Sequence, residues 1–204
     1  MAFSQGLLCF DEDDEETTST SGSEIMATYA AQLLESLDNI LAKSITENHE
    51  PLQIASLSLI GTVADVIKED FQPFFNTFIQ KLVSLLQTVA GETMEAKKLR
   101  ARAIQTIGSI ITSISDNEDK EPFRAHVLEI TQHLSQTLQS RLPDDDPQDE
   151  MIKDTLAQCA GFLGQDFNQF MPMLLDQLIT DTKLEIDFKM ESADLQANND
   201  NMSL

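Results

Sequence analysis

From residue 24 to about residue 180, apolar residues recur three and four apart, the period of a helix with one buried stripe. In EIMATYAAQLLESLDNILAK the stripe is Ile25, Tyr29, Leu33, Leu37, Ile40 and Leu41, predicting a helix that opens just after Ser23. The ENHEP break follows, and Pro51 suits the first turn of the next helix, PLQIASLSLIGTVADVIKED. Asp70 is expected to cap FQPFFNTFIQKLVSLLQTVA, which Gly91 ends. Thr93 opens TMEAKKLRARAIQTIGSIITSIS, and Pro122 stands just inside the start of PFRAHVLEITQHLSQTLQSRL. After PDDDPQDE come EMIKDTLAQCAGFLG and DFNQFMPMLLDQLI. The pattern therefore predicts one leading helix and then three antiparallel pairs, with the periodicity fading from about Thr180 onward.

The helices repeat. DFQPFFNTFIQKL (70–82) and DFNQFMPMLLDQL (166–178) align without a gap, and EPFRAHVLEITQHL (121–134) is a looser third copy. Phe71/Leu82, Phe123/Leu134 and Phe167/Leu178 fix the register, so successive copies start 52 and 44 residues apart. Helical units at about that interval mark a HEAT/armadillo-type α-solenoid, in which one hairpin cannot bury its own apolar face and neighbours must stack. The three phenylalanines are expected at equivalent buried sites near the start of each second helix. The division that follows is 1–23, an acidic and disordered segment; 24–180, the HEAT-repeat array; and 181–204, a frayed tail. The unpaired front helix reads as a cut through a repeat, as in a piece of a longer array.

Composition agrees with an all-α chain. Apolar residues make up 41% of the 204, with seven Gly, six Pro, one Tyr and no Trp. Its apolar runs read as too short to span a bilayer, and the start lacks the basic-then-apolar order of a signal peptide. Cys9 and Cys159 suggest no disulfide framework; Cys159, inside LAQCAGFLG, reads as a buried apolar residue and Cys9 as exposed.

Charge changes the picture more. Thirty-five acids against thirteen bases give a formal net charge of −22. That field repels nucleic acid, whose binding relies on neutralising phosphates, and steers basic proteins inward. The acids cluster in two places. Asp11, Glu12, Asp13, Asp14, Glu15 and Glu16 form a candidate steering segment, and Asp144, Asp145 and Asp146 a candidate interaction loop. Both are expected to be solvated and mobile.

Candidate chemistry is sparse. No GxxxxGK[ST], GxGxxG, GxSxG, HExxH or CxxC occurs, and the chain reads as neither an enzyme nor a cofactor or metal binder. His126 and His133, seven apart with Glu129 between, share a helix face but lack further ligands, so they read as groove residues. Lys97, Lys98, Arg100 and Arg102 cluster near a helix start, where they are expected to pair with Glu92, Glu95 or an acidic loop of an adjacent repeat. The outward residues of the second helix in each pair are the expected protein contacts.

KKLRARAIQTIGSIITSI, the loop PDDDPQDEMI and AQCAGFLGQDFNQFMPMLLDQLI together resemble the middle of an importin-β (karyopherin-β) family nuclear transport receptor, nearest the importin beta-3 branch. The likeness covers roughly residues 50–180. It implies a HEAT superhelix that binds basic cargo such as ribosomal proteins or histones, meets phenylalanine-glycine nucleoporins on its outer face, releases cargo to Ran-GTP and shuttles between cytoplasm and nucleus. The charge and the short apolar runs lead to the expectation of no nucleic-acid or membrane partner. Asp144, Asp145 and Asp146 match the family's acidic loop by position. The family's tryptophan and asparagine arrays are not evident here. The alternative reading is a generic HEAT scaffold or regulatory subunit.

Overall fold

The computed structural model describes residues 14–89, 91–175 and 179, with side chains from residue 25 onward. Among the described residues six α-helices follow in order: α1 (Asp14–Thr46), α2 (Glu50–Ile67), α3 (Phe75–Thr88), α4 (Met94–Ser113), α5 (Glu121–Gln139) and α6 (Gln148–Leu163). Two 3-10 segments, Lys68–Phe74 and Gly164–Gln169, lead into α3 and into a short helical stretch at 171–175. Among the described residues there is no strand, and the chain is an all-α helical-repeat solenoid. Residues 1–13 and 180–204, with Leu178, lie outside the description.

Local chemistry explains most of the boundaries. Thr93 caps α4 by accepting the Ala96 N–H at 3.2 Å. Pro51 and Pro122 occupy first-turn positions of α2 and α5. His49 caps α2 through Nδ1, which accepts the Leu52 N–H at 3.3 Å. The short α1–α2 turn is held by Gln53, whose buried amide donates to the Ser44 carbonyl at 2.9 Å. Asp70, by contrast, sits inside a 3-10 segment, and α3 starts at Phe75 with no side-chain cap. The helix α1 begins at Asp14, so residues 14–23 are helical where the sequence suggested a loop. Glu is a good helix former and acids suit the positive end of a helix dipole, which a reading of charge alone overlooks.

Helices α2, α4 and α6 lie side by side as one layer, α1 packs along α2, and α3 and α5 rest on α4 and α6. The layer is cross-linked at equivalent positions. Thr106 of α4 donates to the Leu57 carbonyl of α2, and Thr155 of α6 donates to the Ile104 carbonyl of α4, both at 3.1 Å. Four residues beyond each acceptor stand Gly61 and Gly108, where the next helix comes close.

The register phenylalanines are all buried, Phe71 completely. Their settings differ. Phe71 and Phe167 lie in 3-10 segments that follow a sharp reversal at Lys68 (φ 49, ψ −125) and Gly164 (φ 55, ψ −121). Phe123 stands in the first turn of α5 after a separate connection, where it meets Phe75 edge-on at 4.8 Å. That extra connection accounts for the 52-residue interval. On α1 the buried stripe is Ala30, Leu34, Leu37 and Leu41, while Ile25, Tyr29 and Ile40 of the expected stripe are exposed. The helix is apolar around much of its circumference, so periodicity alone did not choose the packed face.

One stretch, Glu50–Thr88, is long and apolar enough by length and composition to cross a membrane. It is not one straight rod. The reversal at Lys68 breaks it, and α2 buries Leu57, Ile60, Ala64 and Ile67 against its neighbours.

Candidate interaction surface

The basic cluster and the acidic loop come together, but inwardly. Asp146 is buried, its side chain only 2% exposed. One carboxylate oxygen accepts the backbone and side-chain N–H groups of Gln148, each at 3.0 Å, and the other lies 3.2 Å from the Lys97 ammonium. Burial alone would raise this carboxyl's pKa, but the Gln148 donors and Lys97 together hold it below its ordinary value. Lys97 is correspondingly raised, chiefly by its hydrogen bond to Asp146, and it also reaches Glu92 at 3.5 Å. Beside it Arg100 donates to Gln148 Oε1 at 2.9 Å and to the carbonyls of Val89 and Gly91.

This node ties the α5–α6 loop to α4 and the α3–α4 connection to both. Asp146 is therefore not a solvated loop residue; Asp144 and Asp145 are exposed, and Asp149 already belongs to α6. In the other acidic segment, Asp11, Glu12 and Asp13 lie outside the described residues, and Asp14, Glu15 and Glu16 begin α1.

A trough runs over the second-layer helices. Its largest hollow, about 920 Å³, opens where α1, α3 and α4 meet, with Leu41, Ile45, Leu85 and Leu99 among its walls and the Lys81–Asp38 ion pair on its rim. Smaller hollows continue it across α3 and α5 to the 169–173 stretch. Neighbouring hollows share lining residues: Gln80 and Ser84 join the first to the second, and Gln87 and Glu129 the second to the third. Gln132 and Gln136 join the third to the last. Glu129 lines all three of the smaller hollows, with His126 and His133 on either side of it. Among the described residues no Lys or Arg lines those three.

The sequence singled out the His126–Glu129–His133 face, and it does lie in the groove. The glutamines went unnoticed, although Gln80 and Gln87, seven apart, and Gln132 and Gln136, four apart, each share a helix face. Met173 lines the last hollow, while Met171 packs on the core. Cys159 is buried in α6, where desolvation pushes its thiol to about 11. Among the described residues no cluster of His, Cys, Asp and Glu could hold a metal ion.

Comparison with known proteins gives an informative likeness. The chain is similar to a protein of Dictyostelium discoideum named "Probable importin-5 homolog", 27% identical over 148 residues. The match takes in 72% of this chain and 13% of that protein, so the chain spans a small part of its relative's length. No protein family matches the chain, and no solved structure does. The likeness and the helical repeats together support an importin-β-like array.

Proposed function

We propose that this chain is a protein-binding section of a nuclear transport receptor of the importin beta-3 type, from the middle of its HEAT array, and that it takes basic cargo into the nucleus. The observation that carries the reading is the 148-residue likeness to an importin-5 homolog. The trough, whose three smaller hollows are lined by no Lys or Arg among the described residues, in a chain of net charge −22, adds the charge expected of a surface for basic proteins. Asp144 and Asp145, exposed beside the Lys97–Asp146 node, contribute to long-range steering; Asp146 contributes to the fold.

The test is capture, on immobilised chain at about 150 mM salt, of a lysine-rich localisation segment from a ribosomal protein or a histone. An acidic peptide and a scrambled basic peptide serve as controls. The reading expects the native segment to bind best and the acidic peptide not at all. Equal capture of native and scrambled segments would leave only a charged scaffold. A second arm adds Ran-GTP, expected to lower capture of the native segment if this section takes part in release.

A further inference from the structure

We propose that the face of the α1–α2 pair turned away from α3 and α4 binds the same face of a second copy of this chain, front to front about a twofold axis. Helix geometry locates the face. At about 100° per residue, side chains nine residues apart lie on opposite sides of a helix. On α2, Gly61 and Asp65 face Ser109 of α4. Leu52 stands nine residues from Gly61, and Leu59 shares its edge. On α1, Asp38 reaches Lys81 of α3. Tyr29 stands nine residues from Asp38, with Ile25 and Ile40 on the same side. These are five of the nine large apolar side chains exposed among the described residues, and Ile25 and Tyr29 are 59% and 58% exposed. Exposed apolar residues gathered on one face mark a contact surface, whereas single scattered ones do not.

Charge selects the occupant. In a chain of net charge −22, the exposed residues between the apolar ones are uncharged: Gln32, Ser36 and Asn39 on α1, Ala55 and Thr62 on α2. Among the described residues, the charges on this side of α1 are Lys43 and Glu47 beside the α1–α2 turn, and they pair with each other at 3.8 Å. A patch whose centre is depleted of charge has the composition of an interface core. A basic partner finds no acid there to pair with, and an acidic one is repelled by the rest of the chain. A neutral apolar face suits a face like itself. A second copy supplies one, and a twofold contact is self-complementary because one patch serves on both sides. Size agrees with a weak dimer. From Ile25 to Thr46, α1 runs about 33 Å, and two helices packed about 10 Å apart present a face about 18 Å wide. Each copy then offers roughly 600 Å² and the pair roughly 1,200 Å², the lower edge of specific interfaces.

The test reads association and the face together. Sedimentation velocity of the full chain, followed by interference optics from about 2 to 200 μM, should show a reversible monomer–dimer equilibrium with Kd on the order of 10 μM. Raising salt from about 50 to 500 mM should tighten it at least about threefold, because screening weakens the repulsion between two copies of net charge −22. Binding of basic cargo responds to salt in the opposite direction, so the two readings stand or fall separately. Tyr29 is the one tyrosine of a chain without Trp, so its fluorescence reports on this face. Its quenching by acrylamide, a neutral probe, should fall at least about twofold as the dimer forms and excludes solvent. Leu59→Glu keeps Tyr29 and should weaken association at least about tenfold, since it places an unpaired charge in an apolar contact. Leu175→Glu changes an apolar residue exposed at the other end of the array and should alter association less than about twofold. Both positions are exposed, and unchanged circular dichroism confirms that each variant folds. A chain that stays monomeric with Tyr29 accessible overturns the proposal. A monomer with Tyr29 protected at every concentration also overturns it and makes residues 1–13 the cover. A dimer that leaves Tyr29 accessible, or that Leu59→Glu and Leu175→Glu weaken equally, uses another face and overturns it too.

Discussion

Lys68→Gly should make the protein more stable. Lys68 ends α2 at φ 49 and ψ −125, a backbone setting that Gly adopts freely and other residues rarely do. The equivalent hinge at the end of α6 has φ 55 and ψ −121, and there the residue is Gly164. Both cap N–H groups donate back to the carbonyl four residues earlier, Ala64 and Ala160, so the two turns match in hydrogen bonding as well. A non-Gly residue in a sparsely populated setting costs about 1–3 kcal/mol. Against this stand the greater freedom of Gly in the unfolded chain, roughly 0.5–1 kcal/mol, and the lost attraction of a lysine for the helix C-terminus, about 0.3–1 kcal/mol. The balance is a gain of about 0.5–1 kcal/mol, or roughly 1–4 °C in Tm for a chain of this size. Gly164→Ala is the reciprocal change. A Cβ there meets nothing within 4 Å, so any loss reflects backbone strain and not a clash. It should destabilise by about 1–2 kcal/mol. Urea denaturation of both variants reads the two values at constant m. Two neutral results would refute the claim that these hinges share one strained geometry.

Phe71→Ala removes a fully buried ring that touches Phe74 and Phe78, and should cost about 3–5 kcal/mol in urea denaturation; a loss below about 1 kcal/mol would show that the repeat register is wrong. Asp146→Asn keeps an acceptor for Gln148 but discards the charge facing Lys97, and should cost about 1–2 kcal/mol at pH 7. Because the folded carboxyl sits below its unfolded value of about 3.9, its contribution is present above that pH and is lost as pH falls through the folded value. The wild-type and Asn stability curves should therefore converge below about pH 4, and parallel curves would refute the assignment. Cys159, buried and raised to about 11, should have roughly one thiolate per thousand at pH 8 and react with a thiol reagent only on unfolding; fast native-state labelling assigned to Cys159 by peptide mapping would contradict its placement.

The repeat was legible because a gap-free match of thirteen residues, Asp70–Leu82 with Asp166–Leu178, starts two residues past each hinge and carries the buried phenylalanine. The middle copy was harder to place because its connection between α4 and α5 replaces the 3-10 hinge, so Phe123 shares burial with Phe71 without sharing its backbone. Caps with a side-chain acceptor next to a helical run, such as Thr93, read correctly. Asp70 did not, since the chain enters α3 through continuous 3-10 geometry and leaves no free helix end there to cap. On α1 the choice between Ile25–Tyr29 and Ala30–Leu34 is made by α2, which packs along the latter face. That is a tertiary choice, invisible to a periodicity count.

The acidic loop shows the same limit in electrostatic terms. Asp144, Asp145 and Asp146 are chemically identical neighbours, and nothing local distinguishes them. What separates them is that α4 brings Lys97 within 3.2 Å of the third, while the first turn of α6 turns two Gln148 N–H groups toward it. A carboxylate with three such partners can be buried; its neighbours, without them, stay in water. The count of 35 acids therefore overstates those available to a partner, because some meet a cation in internal ion pairs. Specific attraction must come from acids that meet no cation inside the protein and line a surface where a chain can lie. Glu129 satisfies both conditions among the described residues lining the three smaller hollows.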